Sequence, residues 1–547
     1  MTCCEPSTGI APAPVTPVYS HGRPTVRGTR GMVTSAHPLA TLAGLRMLDQ
    51  GGNAFDAIAA TAAALNVVEP YMSGLAGLGM AVVYTAHDAK IRSLDFHPQV
   101  PMAFDANDVT KAETVTGAKA SGVPGNLAGW CFLTRELGVL SLDEVFAPAI
   151  GYAEDGVATT RFFREMTATG ESRAMRPEWH STYVAPTDGG AQGVVLRQPE
   201  LARTMRAVAT DGPEHLYDGP LGRAMVEHMQ SLGGILTLDD LAAVKPIWEE
   251  PVTTTFGGLD IHVPPPPASS FQFLLTLAIL EQTGLDGAAH LSTDHLDRVF
   301  RAIRLAAECR IENADCDADG ARALLDVNSV TRLAERIADP TVLHGRTEGY
   351  GDGPPEGLTA MREHTTSFSA VDSQGNAVCL TQSLGSPYGS GVVIPGTGVC
   401  MNNFMNWGDL NPASPNFLRG GQRFGMCLAP SLSLTDGELV LALGTPGSYG
   451  ILQTQAQALV HRQIYGLELQ AAIDAPRGRL WDDAKVDLEN RIEPTVVAAL
   501  RDRGHEINQV DPFSMLCGGM HAIERDPATG VLGGAADSRR DGAAMAL

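Results

Sequence analysis

Two strand-like runs, "TTSFSAVD" (365–372) and "AVCLTQSL" (377–384), flank the turn residues "SQGN". This pattern predicts an antiparallel hairpin, because Ser, Asn and Gly supply turn chemistry while the flanks alternate as a pleated strand requires. Pairing Asp372 with Asn376 or Ala377 puts Thr365 opposite Ser383 or Leu384. The hairpin is preceded by the soft segment "TEGYGDGPPEGLTAMREH", whose Gly/Pro-rich part spans 349–358. A rigid hairpin after such a segment marks a compositional boundary just before Thr365.

Upstream of that boundary the texture is mostly helical. "SAHPLATLAGLRMLDQGGNAFDAIAATAAALNVVEP" reads as two Ala/Leu-rich helices. Gly51 and Gly52 stop the first, Asn53 caps the second, and Pro70 lies just past its end. "MAVVYTA" and "KIRSLDF" read as a strand pair, and the pattern from about 125 to 350 is again mostly helical. "VPPPPASSFQ" (263–272) breaks it as a rigid turn before "FLLTLAILEQ". Beyond 365 come short strands such as "LAPSLSLT" and "ELVLALGT", a helix pair near 451–475, and the strand "MHAIERD". No internal repeat of 20–50 residues is present.

A chain of 547 residues holds two or more domain-sized units or one large layered fold. With 44% apolar and 18% charged residues it can build a large core. A net charge of −23 argues against nucleic acid and anionic membrane surfaces as partners. No apolar run reaches the roughly 18 residues needed to span a bilayer. Residues 1–29 read as a disordered, Pro-rich lead-in without the basic and apolar regions of a signal peptide. The nine cysteines include no CxxC pair, which fits free thiols and a cytoplasmic location. "GLAGLG" (74–79) follows a helix and opens a strand, the reverse of a dinucleotide loop. No metal-ligand spacing is found, and no cofactor is implied.

Threonine is a weak nucleophile unless a base takes its proton. A free α-amine on the same residue, with a pKa near 8, can do so. Thr365 would acquire one if the chain were cut between His364 and Thr365. The Ser383 hydroxyl, brought alongside by the hairpin, would then hydrogen-bond the threonine oxygen. "LGTPGSYG" (443–450) offers a turn where the N–H groups of Gly447 and Ser448 converge as oxyanion donors. On spacing alone the ordinary reading also stands: a threonine doublet in a strand, and a turn that is only a turn.

Longer motifs separate the two readings. In order, the chain contains "GMVTSAHPLATLAGLRMLDQGGNAFDA", "LDFHPQVP", "ASGVPGNLAGW", "PPPPASSF", "HTTSFSAVDSQGNAV", "LAPSL", "GTPGS" and "AADSRRDG". Over about 30 to 540 it resembles the γ-glutamyltransferase family of N-terminal-nucleophile hydrolases. That resemblance implies an α+β fold, a four-layer αββα sandwich built from one self-cleaving precursor. The large subunit would run over 30–364 and the β-rich small subunit over 365–547. It also implies Thr365 as nucleophile, His364–Thr365 as the scissile bond, Ser383 as the supporting hydroxyl, and Gly447 and Ser448 at the oxyanion positions.

The chain departs from the family where a γ-glutamyl head is gripped. His97 stands where the resemblance places an arginine, and Gly385 replaces an asparagine. Phe404 and Trp407 replace an amide or acid and an aspartate, and Met426-Cys427 replaces a serine pair. A zwitterionic head desolvated among such side chains would lose several kcal/mol, and His poorly replaces a bidentate Arg. The expectation is therefore an amide hydrolase acting through an acyl-enzyme on a less zwitterionic acyl group. Its substrate pocket is expected to involve these residues and Tyr449. Tyr388 is a further candidate for the cleft wall. The segment 408–425 reads as a mobile lid, with Arg419 and Arg423 as further carboxylate ligands, Arg423 at a position that is structural in the family. The alternatives are glutathione or γ-glutamyl hydrolysis and transfer, an enzyme like the β-lactam side-chain acylases or oxamate amidohydrolase, and a non-catalytic small-molecule-binding relative. Some of these substitutions equally suit plain core packing.

Overall fold

The computed structural model describes residues 22–172, 176–348 and 364–547. Two seven-stranded antiparallel sheets carry the fold. The first runs in the order Val26–Gly28, Leu532–Ala536, His521–Arg525, Glu438–Gly444, Ser431–Thr435, Leu259–Val263, Val252–Phe256. The second runs Ala543–Ala546, Gly31–Ser35, His364–Asp372, Ala377–Gly385, Leu78–Thr85, Lys90–Asp95, Ile247–Glu249.

Side-chain alternation explains how the sheets stack. In the second sheet Phe368, Ala370, Val378, Leu380, Ala81 and Val83 join one apolar cluster with helices Pro38–Asp49 and Ala54–Val68. Their neighbours Val371, Ala377, Cys379, Val82 and Tyr84 join another with Leu432, Ala442 and Ile523 of the first sheet. On its other face the first sheet sends Leu441, Leu443 and Ala522 against helices Phe271–Thr283, Thr293–Glu312 and Ile451–Leu459. The layers are helix, sheet, sheet, helix: the expected α+β sandwich. Each large apolar side chain so buried contributes roughly 1.5–3 kcal/mol.

The two helices at the front of the chain form where the sequence places them. Pro38–Asp49 ends before Gly51 and Gly52, and Asn53 caps Ala54–Val68 through a capping box with Asp56. All fifteen residues of that second helix are buried, which accounts for its run of alanines: it is covered on every side and has room only for small residues.

The reading of 1–29 as a disordered lead-in needs correction at its end. Val26–Gly28 is an edge strand paired with Leu532–Gly534, and Arg27 bonds Glu524 at 2.8 Å. Three residues give too short a period-2 signal to be read, and the partner strand is about 500 positions away. Residues 1–21 and the Gly/Pro-rich segment 349–358 lie outside the described residues. Both sheets contain strands from before residue 349 and from after residue 363.

Candidate active site

The 364–372 and 377–385 strands pair with the expected register, and the ladder slips once. His364 lies opposite Gly385 and Thr366 opposite Gln382, with a bulge between them. The extra residue lies on the second strand, where Ser383 and Leu384 together face the single Thr365. A bulge breaks the ladder locally and re-aims the residues around it, so Thr365, which is buried, has no single cross-strand partner. Ser383 does not bond the Thr365 hydroxyl as the hairpin reading supposed. Its Oγ donates to the His364 carbonyl oxygen at 2.5 Å and accepts from the Gly385 N–H at 2.9 Å. The bulge is the reason: the extra residue of the second strand brings the Ser383 hydroxyl to the carbonyl that precedes Thr365 rather than to the threonine side chain. On the other side of the same residue, Arg540 Nη1 donates to the Thr365 carbonyl oxygen at 3.1 Å.

The Gly447–Ser448 turn arrives from the first sheet. Cys379 Sγ reaches the Leu443 carbonyl at 3.4 Å, and Gly444 lies over Ser367, where an added Cβ would sit 2.0 Å from that hydroxyl. The strand Glu438–Gly444 thus runs toward the Thr365 end of the hairpin, and the residues after it continue that way. Gly447 has φ +124°, open to glycine and strained for other residues. Ser448 follows at φ +55° as the first residue of a short 3₁₀ turn. Thr445 Oγ1 anchors the turn by accepting from the Gly519 N–H at 3.1 Å.

Five of the candidate pocket residues are brought together. Phe404, Trp407, Met426, Cys427 and Tyr449 belong to one buried apolar cluster with Leu78, Met80, Val100 and Phe424. The Trp407 and Tyr449 rings lie 6.0 Å apart, and Arg310 stacks over Tyr449 at 4.4 Å. Trp407 Nε1 donates to the Gly385 carbonyl at 3.2 Å. Gly385 has φ +100°, and a Cβ there would lie 2.4 Å from Asn403 Oδ1. The glycine is what lets the tryptophan and Asn403 close over the end of the hairpin. The Cys427 thiol is pushed up to about 12 by burial, so it packs as a small apolar group.

His97 lies inside the protein at 3% exposure, edge-on to Phe424 at 4.8 Å. Burial, helped by Arg423, pushes its pKa down to about 3, so the ring is neutral. Arg423 is paired with Asp95 and lies 3.6 Å from Glu249, a structural role. Arg419 stacks over Phe417 at 4.9 Å. Tyr388 is not placed at a cleft: it is fully buried among Tyr71, Trp179 and Tyr183, with Thr167 Oγ1 2.9 Å from its hydroxyl. Sequence could not show this, because Trp179 and Tyr183 lie some two hundred residues away. The 408–425 segment is tied down by Asn416, which donates to the Trp407 carbonyl at 3.1 Å and accepts from the Gly425 N–H at 2.6 Å.

Two residues beside Thr365 went unassigned in the sequence reading. Glu69, at the end of helix Ala54–Val68, is buried. Its carboxyl is pushed up to about 7 by burial, an effect eased by Arg540 and by Thr366. Arg540 thus faces both Glu69 and the Thr365 carbonyl. A lone acid closing the apolar run "LNVVEP" was the available signal for Glu69; Arg540 lay in "AADSRRDG" without a role. Among the described residues, no group of three or more His, Cys, Asp or Glu is placed to hold a metal ion.

One end of the double sheet thus holds a threonine facing a bulge, a hydroxyl on the carbonyl before it and a glycine turn. The γ-glutamyltranspeptidase family model matches residues 40–547. The chain belongs to that family. It is similar to the acylase ACY 1 proenzyme of Pseudomonas sp. (strain V22), 33% identical over 98% of this chain and 97% of that one. It is also similar to the glutathione hydrolase-like YwrD proenzyme of Bacillus subtilis (strain 168), 31% identical over 95% and 99%. The cephalosporin acylase from Bacillus halodurans superposes with a TM-score of 0.85, at 29% identity, over 98% of this chain and 99% of that one. The γ-glutamyltranspeptidase relatives are amide-bond hydrolases made as proenzymes, and this chain is an enzyme of that kind.

Proposed function

We propose that the chain is a self-processing N-terminal-threonine amidohydrolase, cut between His364 and Thr365. One observation carries this reading: the Ser383 hydroxyl at 2.5 Å from the His364 carbonyl oxygen, on the peptide just before Thr365, which faces the bulge of the neighbouring strand. A donor on that oxygen favours the charge that develops when the carbonyl is attacked. Thr365 Oγ gives up its proton as it adds to the His364 carbonyl carbon, the C–N bond breaks, and the departing nitrogen takes up that proton to become a free amine. Water then hydrolyses the ester, leaving a His364 carboxylate and a restored Thr365 hydroxyl.

The mature site repeats this chemistry on substrate. The Thr365 α-amine takes the hydroxyl proton and Oγ attacks the substrate amide. The Gly447 and Ser448 N–H groups receive the oxyanion. The amine departs, and water resolves the acyl-enzyme. The apolar cluster of Phe404, Trp407, Met426, Cys427 and Tyr449 supports an acyl group with less charge than a γ-glutamyl head, since a desolvated zwitterion would find no partners among those side chains.

The test is the denatured mass of freshly purified protein beside a Thr365→Ala variant. Two chains ending at His364 and beginning at Thr365, with the variant uncut, are expected. An uncut chain of 57.7 kDa in the unmutated protein would overturn the assignment. A panel of chromogenic anilides then ranks acyl groups, and robust turnover of a γ-glutamyl anilide would sink the pocket argument.

A further inference from the structure

Arg540 reaches the Thr365 carbonyl from a seat built by several elements. Gly519 makes room for its stem: a Cβ there would lie 2.4 Å from Arg540 Cδ. Met72 Sδ lies 3.7 Å from Nη1, the nitrogen that donates to the Thr365 carbonyl at 3.1 Å. The guanidinium lies over the Phe162 ring at 5.6 Å. Met72 belongs to the turn that follows helix Ala54–Val68. Its N–H donates to the Glu69 carbonyl at 2.9 Å, and its carbonyl accepts from the Leu384 N–H at 3.1 Å. Leu384 is one of the two residues that face Thr365 at the bulge. Turn, bulge and guanidinium therefore pack as one unit, in which Arg540 is buried.

This seat fixes a positive charge beside the group that the cut would create. A residue's own nitrogen and carbonyl oxygen are three bonds apart, at most about 3.7 Å. The Thr365 α-amine would therefore lie no more than about 7 Å from Arg540 Nη1. A like charge at that range inside the protein opposes protonation of the amine, whose ordinary pKa is near 8. Only the unprotonated amine can take the hydroxyl proton.

The groups facing Arg540 set how much of its charge is felt. Glu69 and Tyr71 face it from the end of helix Ala54–Val68 and the turn after it, and His521 faces it from the first sheet. Asp541 is its neighbour in the chain and faces Glu69 and Tyr71. Burial pushes the His521 ring down to about 3, so it is neutral, and burial keeps the Tyr71 hydroxyl protonated. Glu69, raised by burial to about 7, is largely uncharged below neutral pH and a carboxylate above it. Glu69 thus opposes the cation least on the acid side, where the amine would otherwise protonate.

We propose that Arg540 is a positioning residue that keeps the Thr365 α-amine unprotonated near neutral pH, with Glu69 as the group that moderates it. The proposal rests on the N-terminal-threonine reading, since only a cut chain has this amine.

The test is the pH dependence of kcat/KM for anilide hydrolysis by the processed enzyme and its variants. The acid limb of that profile reports the pKa of the base in the free enzyme. Arg540→Met removes the cation and should move the limb up by about one pH unit, which is a tenfold loss of rate at any pH below it. Arg540→Lys keeps the charge and gives up the planar fork; its limb should stay near the parent's even if kcat falls. Glu69→Gln removes the opposing carboxylate and should move the limb the other way, to lower pH. The His364 carboxylate left by the cut is common to every variant and cancels in the comparison. Opposite shifts from positions 540 and 69 are a signature that lost packing does not produce. An Arg540→Met limb that stays in place, an Arg540→Lys limb that moves as far as the methionine variant's, or a Glu69→Gln limb that stays or moves up each overturns the proposal. Where chain mass or thermal melting shows that Arg540→Met is uncut or unfolded, the Glu69→Gln profile decides. An unmutated chain that is never cut sinks the N-terminal-threonine reading. A cut, active enzyme whose limb ignores these substitutions sinks this proposal alone.

Discussion

Arg540 and Thr365, 175 positions apart, are joined by a single hydrogen bond from the guanidinium to the threonine carbonyl oxygen. The bond holds the peptide after Thr365 while Ser383 holds the peptide before it. Thr365 is therefore fixed from both flanks by side chains that belong to neither of its sequence neighbours.

Ser383→Ala removes the donor to the His364 carbonyl and leaves the hairpin register intact. Self-cleavage should slow by about 10²-fold, the usual cost of losing one oxyanion donor. A time course of chain masses after rapid purification measures it. Ser383→Thr should recover most of the rate. Cleavage of the alanine variant at the unmutated rate would remove Ser383 from the mechanism.

Gly385→Ala places a Cβ against Asn403 Oδ1 in a backbone conformation of φ +100°. The strain alone is about 1–3 kcal/mol, and the Trp407 bond to the Gly385 carbonyl is disturbed as well. A lower melting temperature and a weakened grip on apolar acyl groups, read as a raised KM on the preferred anilide, are expected. An unchanged melting temperature would show that the hairpin end relaxes freely.

Glu69 gives a pH signature. Burial raises its pKa in the folded chain to about 7, above the ordinary value of 4.5, so the folded chain holds this proton more tightly than the unfolded chain. Its contribution to stability is fully present below about pH 4.5 and is lost as pH rises to about 7. The shift corresponds to roughly 3 kcal/mol at most. In a Thr365→Ala background, kept as one chain, Glu69→Gln should gain stability relative to its parent between pH 4.5 and 7. Urea melts at several pH values read the slope, and a parallel pair of curves would contradict it.

Thiol reagents should leave the activity intact. Cys131, Cys379 and Cys427 are buried with thiols pushed up to about 12, 11 and 12, and the nucleophilic form is the thiolate. Iodoacetamide at pH 8 should neither inactivate the enzyme nor label the peptide containing Cys427. Rapid inactivation with Cys427 labelled would mean that the pocket opens to solvent far more than its packing implies.

The sequence was most informative where a short signal decides a local structure. Asn53 and Asp56 announce a helix start, and "SQGN" between alternating runs set the hairpin register to within one residue. The remaining residue was the bulge, which no local pattern encodes. It arises where the end of the hairpin is closed by Asn403 and Trp407, and it sends the Ser383 hydroxyl to the His364 carbonyl. The proximity of Glu69 and Arg540 was hidden for a different reason: the two are separated by almost the whole chain, and burial, which raises the Glu69 carboxyl, is not written in either neighbourhood. The pocket substitutions were readable as a loss of polarity, and the five that cluster do pack as one apolar body. His97 was readable as a change of residue, and its burial was not.

The mixing of early and late strands within both sheets has a consequence for how such a protein is made. Each sheet draws its hydrogen bonds from both sides of the proposed cut, so neither fragment owns a complete sheet or a complete apolar face. The intact chain is therefore the assembly jig: it must bring the strands together before the peptide bond is spent. Fragments expressed apart would each expose half-built sheets and compete with aggregation, whereas the nicked protein stays together through the same pairings that the single chain first made. The covalent join governs arrival at the structure and has no part in its persistence.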